Sequence, residues 1–517
     1  MNTKLLQRHW QRLPESAIRG LQAEKLRRYL RRVVLPFSAH YRELFREHGL
    51  RAESIRTLDD LQRLPFTTKT DLLPTPEAPQ RFKDFILVPE REVLARRPNV
   101  MLQALLRGRA AVEQQLADEF RPVFLTFTTG RAAEPLAFLH TGHDVGNLAL
   151  AGKRLMEVCG ARPDFRLINA FPFAPHLAFW LTHYAGTAFG ALMVSTGGGK
   201  VVGTEGNLRL MRKLDPHVLI GIPTFIYHLL LEAVEEGVQC KNLQRIVLGG
   251  EKVSDGLREK VRDLAARLGA ANVDVLATYG FTEAKLAFAE CPFPHEQASS
   301  GYHLYPDLGI FEVVDPQTGE VQPPEHPGEL VFTPLDARGS VVLRYRTGDC
   351  IDGGLTYEPC PYCRRSVPRL WGRISRTSEV RAMNLQKLKG TLVDFNQLEH
   401  VLDDAPHVGT WQLELRKVHD DPDELDELIL HVQKADSTDD AQMTRVLRQH
   451  FHSHTEIQPN RIVFHDPEEM RQLQGLGTLI KEQKIADHRP KPNGAPAPTA
   501  GAENLRDGAV IRSKLDA

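Results

Sequence analysis

The chain has 517 residues, with 65 Lys and Arg against 66 Asp and Glu. That balance gives no footing for a nucleic-acid or membrane-surface binder. No apolar run reaches the roughly 18 residues that a membrane span needs, and six cysteines are sparse usage for such a length, which suits a reducing cytoplasm.

The basic N-terminus, MNTKLLQRHWQRLPESAIRG, lacks an apolar segment and does not read as a secretory signal. Residues 1–120 read largely as helices: EKLRRYLRRVV, HYRELFREHG and NVMLQALLRGRAAVEQQLADEF place apolar residues at helical spacing. From residue 121 short apolar runs alternate with helical stretches. PVFLTF, RLINAF, VLIGI, RIVLGG and VDVLATYG predict βα units and a parallel sheet. GIFEVVD, GELVFTPL and SVVLRYRTG predict further strands over 309–347. A smaller α/β segment begins near 376, with WQLELRKV and ELILHVQKA as strands and AQMTRVLRQHFHSHT as a helix. The tail from 490, rich in Pro, Ala and Gly, has too little apolar content to pack and reads as disordered.

Short motifs punctuate this layout in one order. Thr128-Thr129-Gly130 comes first. Gly249-Gly250-Glu251, Tyr279-Gly280-Phe281-Thr282-Glu283, Tyr345-Arg346-Thr347-Gly348-Asp349 and Gly372-Arg373 follow, and Lys481 comes last. In this order they resemble the adenylate-forming superfamily, and within it the phenylacetate-CoA ligase and coenzyme F390 synthetase group. Pro36-Phe37 through Tyr41-Arg42-Glu43, Leu64-Pro65-Phe66-Thr67-Thr68-Lys69, Ser195-Thr196-Gly197-Gly198-Gly199 and Gly221-Ile222-Pro223-Thr224 resemble landmarks of the same group. The likeness extends to about residue 490. It implies an α/β fold: a large N-terminal AMP-binding domain with parallel-sheet subdomains (1–375), then a small mobile α+β C-terminal domain (376–490), with the tail at 491–517.

The resemblance implies a site for ATP and Mg²⁺. Thr128, Thr129 and Gly130 would wrap triphosphate oxygens with hydroxyls and backbone N–H groups. Gly249, Gly250 and Glu251 would lie along adenine and ribose. Tyr279 and Gly280 would line adenine, with the tyrosine face stacked on the base. Thr282 would donate to the α-phosphate and Glu283 would hold Mg²⁺ through hard oxygens. Asp349 would accept both ribose hydroxyls, and Arg373 would touch the nucleotide near the domain junction. Lys481 aligns with the lysine that stabilises charge built during adenylation, in register with Asp487 and Arg489. Three departures stand out. Phe127 occupies the place of a glycine and is expected to stiffen the phosphate loop. The loop lysine is unmatched, leaving Arg131 as the candidate cation. Arg376 stands where the family has an acidic hinge residue.

Phe171, Phe173 and His176 fall in the region that walls the acid substrate in relatives; aromatic walls suit an aryl or apolar acid, while each residue alone reads equally well as core packing. Cys360 and Cys363 form a Cys-x2-Cys pair, with Cys291 and His303 upstream; related ligases hold a structural metal here, and four such ligands suit tetrahedral Zn²⁺. His295 is a rival for the histidine, and Cys350 is the outsider. The expected reaction joins a small carboxylic acid to coenzyme A through an acyl-adenylate. Two alternatives stay open: another acceptor, such as a carrier-protein thiol or an amine, and a homologue that binds nucleotide without turnover. A homodimer also stays open.

Overall fold

A computed structural model describes residues 10–128, 135–376, 380–383, 391–418, 426–454, 458–476 and 482–489. Helices α1 (Glu15–Tyr29), α2 (Ala39–Glu47), α3 (Pro98–Arg107) and α4 (Arg109–Phe120) confirm the helical reading of the N-terminal part. Ser38 caps α2 by accepting from the N–H of Tyr41. Gly108, at φ 85°, separates α3 from α4, in a conformation that other residues adopt at a cost.

The nine-stranded sheet is assembled next. β1 (Pro122–Phe127) and β2 (Ala137–Thr141) precede it, followed by α5 (Gly142–Val158), β3 (Arg166–Asn169), α6 (Leu177–Phe189) and β4 (Leu192–Ser195). Then come α7 (Gly203–Leu214), β5 (Val218–Gly221), α8 (Pro223–Glu235), β6 (Arg245–Gly249), α9 (Asp255–Arg267) and β7 (Asp274–Phe281). Strands β4, β3, β5, β6 and β7 are parallel neighbours, as right-handed βα units require. β8 (Leu286–Ala289) turns back antiparallel on β7, and β9 (Tyr302–His303) continues the edge. Buried side chains of α7, α8 and α9, such as Met211, Leu229 and Val261, cover one face. Leu148, Leu155 and Phe288 belong to the core on the other.

β10 (Gly309–Val314), β11 (Gly328–Pro334) and β12 (Tyr345–Ile351) form an antiparallel sheet that β15 later completes. β13 (Gly354–Thr356) and β14 (Arg369–Trp371) extend the nine-stranded sheet past β9, and β15 (Ile374–Arg376) pairs with β12. β16 (Val380–Met383) pairs with β17 (Thr391–Asp394) and leads to α10 (Phe395–Asp403). A last unit combines β18 (Val408–Lys417), β19 (Asp426–Lys434), α11 (Asp440–His454), β20 (Arg461–Phe464), α12 (Pro467–Leu473) and β21 (Ile485–Asp487). Trp411, Leu430, Leu447 and Phe451 give it a core of its own.

Two sequence expectations change. β1 does not join the parallel sheet; it pairs antiparallel with β2 as a separate ribbon. The apolar run at 340–344 is not strand, because it threads between the N-terminal helices. There Leu343 N–H donates to the Tyr41 hydroxyl at 3.0 Å, and the hydroxyl donates to Val341 O at 3.1 Å. No described helix is long and apolar enough to cross a membrane.

Candidate active site

Two tyrosine–carboxylate pairs cross the junction between the nine-stranded and the four-stranded sheet. β7 can turn back tightly because Gly280 faces Ala287, where a Cβ would lie 2.7 Å from the alanine methyl. The motif therefore sits on the strand and its hairpin, with Thr282 and Glu283 in the 3₁₀ turn Thr282–Ala284. Across the junction, Glu329 registers with Cys350 and Val331 with Arg346. Thr347, Gly348 and Asp349 thus bulge opposite Leu330. Gly348 adopts φ 73°, and the Thr347 hydroxyl donates to Leu330 O at 2.9 Å. The bulge aims buried Asp349 at Tyr279, whose hydroxyl donates to Asp349 Oδ2 at 2.9 Å. The Tyr345 hydroxyl donates to Glu283 Oε1 at 2.7 Å. Burial raises the Glu283 carboxyl above its usual range, opposed by the bond from Tyr345. The other oxygen of Asp349 lies 3.1 Å from Arg376 Nε.

The end of β1 is tied to both neighbours of the site. Phe127 N–H donates to Pro175 O at 2.7 Å. Phe127 O lies 3.1 Å from His176 Nδ1 and accepts from Thr282 at 3.4 Å. Phe127 itself is the last residue of β1, registered with Ala137. Its backbone is ordinary strand, so the expected stiffening of a loop does not arise at this position. Thr128 is buried, and its hydroxyl accepts from Leu136 N–H at 3.0 Å. Thr129, Gly130 and Arg131 lie outside the described residues.

Gly249 ends β6 against β7, where a Cβ would meet the Thr278 hydroxyl at 2.2 Å, and Gly250 turns the chain at φ 86°. Glu251 then reaches the start of α8 and accepts from the Thr224 hydroxyl at 2.9 Å. Arg373 is exposed, its Nε paired with Asp352 at 2.9 Å. Phe173 is exposed, packed on the Phe179 and Trp180 rings at 5.1 and 5.7 Å. Phe171 is buried beside Gly249.

Residues 53–334, more than half of the chain, match the family model described as AMP-binding enzyme. The chain belongs to this family. Among curated proteins, phenylacetate-coenzyme A ligase of Thermus thermophilus is 29% identical over 402 residues, 77% of each chain. The Escherichia coli protein of the same name is 24% identical over 384 residues, 73% of this chain and 74% of that one. A crystal structure of 2-hydroxyisobutyryl-CoA ligase with its bound adenylate shares the fold, with a TM-score of 0.72 at 19% identity, covering 92% of this chain and 91% of that one. The AMP-binding enzyme described here is therefore a ligase of the adenylate-forming superfamily, in the phenylacetate-CoA ligase-like group.

Apart from the tyrosine–carboxylate pairs, this AMP-binding enzyme gathers Cys291, His303, Cys360 and Cys363, with one ligand atom of each within 4.8 Å of the others. Cys291 follows β8, His303 lies on β9, and the Cys-x2-Cys turn joins β13 to β14. The turn is a knuckle: Arg364 N–H donates to Cys360 O at 3.0 Å, and Arg364 takes φ 61°. Tetrahedral zinc with 2.3 Å bonds to sulfur separates its sulfurs by about 3.8 Å; Cys291 and Cys360 sulfurs are 3.6 Å apart. His303 Nδ1 is 3.3 Å from Ala289 O, which leaves Nε2 facing Cys363. The rival His295 is instead 3.7 Å from Asp274.

Lys481 lies outside the described residues. Glu482, which follows it, is buried; its carboxyl is pushed up to about 8 by burial, with the nearby Glu251 adding to the rise and Lys484 opposing it. Three roles carried no separate sequence signal: Tyr345 on Glu283, Arg376 on Asp349, and Thr224 on Glu251. All three residues fall in or beside quoted motifs, but partners this distant in sequence leave no local pattern.

Proposed function

We propose that this ligase activates an aryl or apolar carboxylic acid with ATP, releases pyrophosphate, and passes the acyl group to the thiol of coenzyme A. The observation that carries the reading is the double tyrosine–carboxylate arrangement, with Tyr279 on Asp349 and Tyr345 on Glu283, in a chain of this family. Asp349 accepts from Tyr279 on one oxygen and faces the exposed Arg376 on the other, and each carboxylate oxygen has a second lone pair that suits a ribose hydroxyl. Tyr279 offers adenine a ring, and Thr282 offers the α-phosphate a hydroxyl. Gly249, Gly250 and Glu251 border the base and sugar, and Arg373 is a further nucleotide contact. Thr128, Thr129, Gly130 and Arg131 are assigned to the triphosphate.

The acid oxygen attacks the α-phosphorus, the bond to the pyrophosphate oxygen breaks, and Lys481 stabilises the charge gathering on the phosphoryl oxygens. Glu283 would hold Mg²⁺, which neutralises phosphate charge when bound. Cys291, His303, Cys360 and Cys363 would hold a structural Zn²⁺, a closed site with no open position for chemistry. Phe173 and His176 are assigned to the acid pocket, and Phe171 to its base. We place the domain boundary between residues 375 and 376, at the end of β15, which pairs with β12. The C-terminal unit would rotate between the half-reactions.

Pyrophosphate exchange over a panel of aryl and aliphatic acids tests the reading. Exchange with one chemical class, followed by thioester formation with coenzyme A, is the expected result; no exchange with any acid overturns it. Exchange without thioester would move the acceptor to a carrier thiol or an amine. Lys481→Ala should lose about two to three orders of magnitude in exchange yet keep transfer from a supplied acyl-adenylate. Equal loss in both steps would remove Lys481 from this role.

A further inference from the structure

We propose that α3 docks this protein on an anionic membrane surface. The observations are independent of which acid the enzyme uses. α3 presents Met101, Leu102, Leu105 and Leu106 at helical spacing on one face. These side chains are 57, 56, 83 and 74% exposed. On the opposite face, half-buried Val100 joins the core of the N-terminal helices, beside half-buried Ala104. The helix thus packs its smaller apolar residues inward and leaves its four largest in water, the reverse of an ordinary surface helix. A contiguous apolar face of this kind marks an interaction site.

The rim identifies the occupant. Exposed Arg96 precedes the helix at the start of the apolar face, and exposed Arg107 closes its last turn on the Val100–Ala104 side. Arg97 donates to the carbonyls of Arg32 and Arg31 at 2.9 and 3.0 Å, which binds the start of α3 to a second basic stretch. Arg31, Arg32, Arg96 and Arg107 meet no carboxylate among the described residues. The acids on the neighbouring helix α4 are matched locally, Glu113 with Arg109 at 3.1 Å and Asp118 with Arg121 at 3.9 Å. The near-zero net charge of the whole chain hides this local excess, which is why the composition argued against a membrane surface.

A second copy of the chain fits less well. Two-fold apposition of α3 would bring the same arginines together without counter-charge. Anionic lipid headgroups supply that charge, and the acyl boundary accepts the leucines, as for interfacial helices in general. Each arginine near such a surface strengthens binding about fivefold, an effect that salt removes.

Flotation of the full chain with phosphatidylglycerol–phosphatidylcholine vesicles tests the proposal. The protein should rise with anionic vesicles, stay behind with phosphatidylcholine alone, and lose binding as salt is raised. Leu105→Glu with Leu106→Glu should reduce binding at least tenfold. These side chains lie in solvent, so pyrophosphate exchange without vesicles should stay as in the parent protein. Failure of the parent to float, equal flotation of the variant, or equal binding to neutral vesicles overturns the proposal. So does a parent dimer that the same variant splits, because a second copy would then cover the face.

Discussion

Asp349 is held by two groups of unequal standing. The bond from Tyr279 is half-buried, made by the strand and the bulge together. The pair with Arg376 is different: the arginine side chain is 59% exposed, the aspartate 6%. Water and salt screen such a pair, which limits it to about 1 kcal/mol or less. Arg376 nevertheless covers an oxygen that a ribose hydroxyl would use. Arg376→Ala is therefore expected to lower the KM for ATP, by at most about fivefold. The gain should shrink as salt rises. A raised KM would make Arg376 a nucleotide ligand and not a competitor.

At the scale of elements, the β1–β2 ribbon and the cysteine knuckle decide how the site is supported. Phe127 is paired strand, anchored through its carbonyl to His176 and Thr282. A glycine there would add unfolded-state entropy and remove a side chain from a strand, costing about 1 kcal/mol from the backbone alone. Phe127→Gly is expected to lower the melting temperature and to bring no gain in ATP turnover; improved turnover would return the residue to the loop. The knuckle joins β8, β9 and β14, and β8 pairs directly with β7, the strand that carries Tyr279. Metal analysis should find about one zinc per chain. Cys360→Ser and Cys363→Ser should each lose the metal and several degrees of melting temperature, whereas His295→Ala should keep both. Metal-free protein from a chelator-free preparation would sink the assignment.

At the scale of the molecule, the C-terminal unit rests on the large one through a few polar bonds. Lys252 meets Glu399 at 2.6 Å, Gly256 N–H donates to Asp404 at 3.1 Å, and Arg471 meets Glu232 at 3.2 Å. Glu482 is buried in the same region. Its carboxyl keeps its proton to about pH 8, against an ordinary value of 4.5. A raised carboxyl pKa means that the docked state binds a proton which the separated state releases. Docking is therefore strongest below about 4.5 and weakens as pH rises through 8. Limited proteolysis between the units should speed up from pH 6 to pH 9. Glu482→Gln should flatten that dependence, and an equal slope in the variant would assign it to other groups.

Apolar runs, capping residues and ordered motifs are local properties, and they carried the fold class, most strands and the family. A period of two or of 3.6 depends only on near neighbours in the chain. Partnership across the fold has no such local trace. Folding alone chose His303 over His295, because strand pairing of β9 with β8 and β14 brings that imidazole to the cysteines. It took β1 out of the parallel sheet and buried Val341, Val342 and Leu343 among helices instead of in a strand. It also left the leucines of α3 in water, although their spacing reads as core. Hydrophobic spacing establishes that a face exists; which surface covers it depends on contacts between segments far apart in sequence.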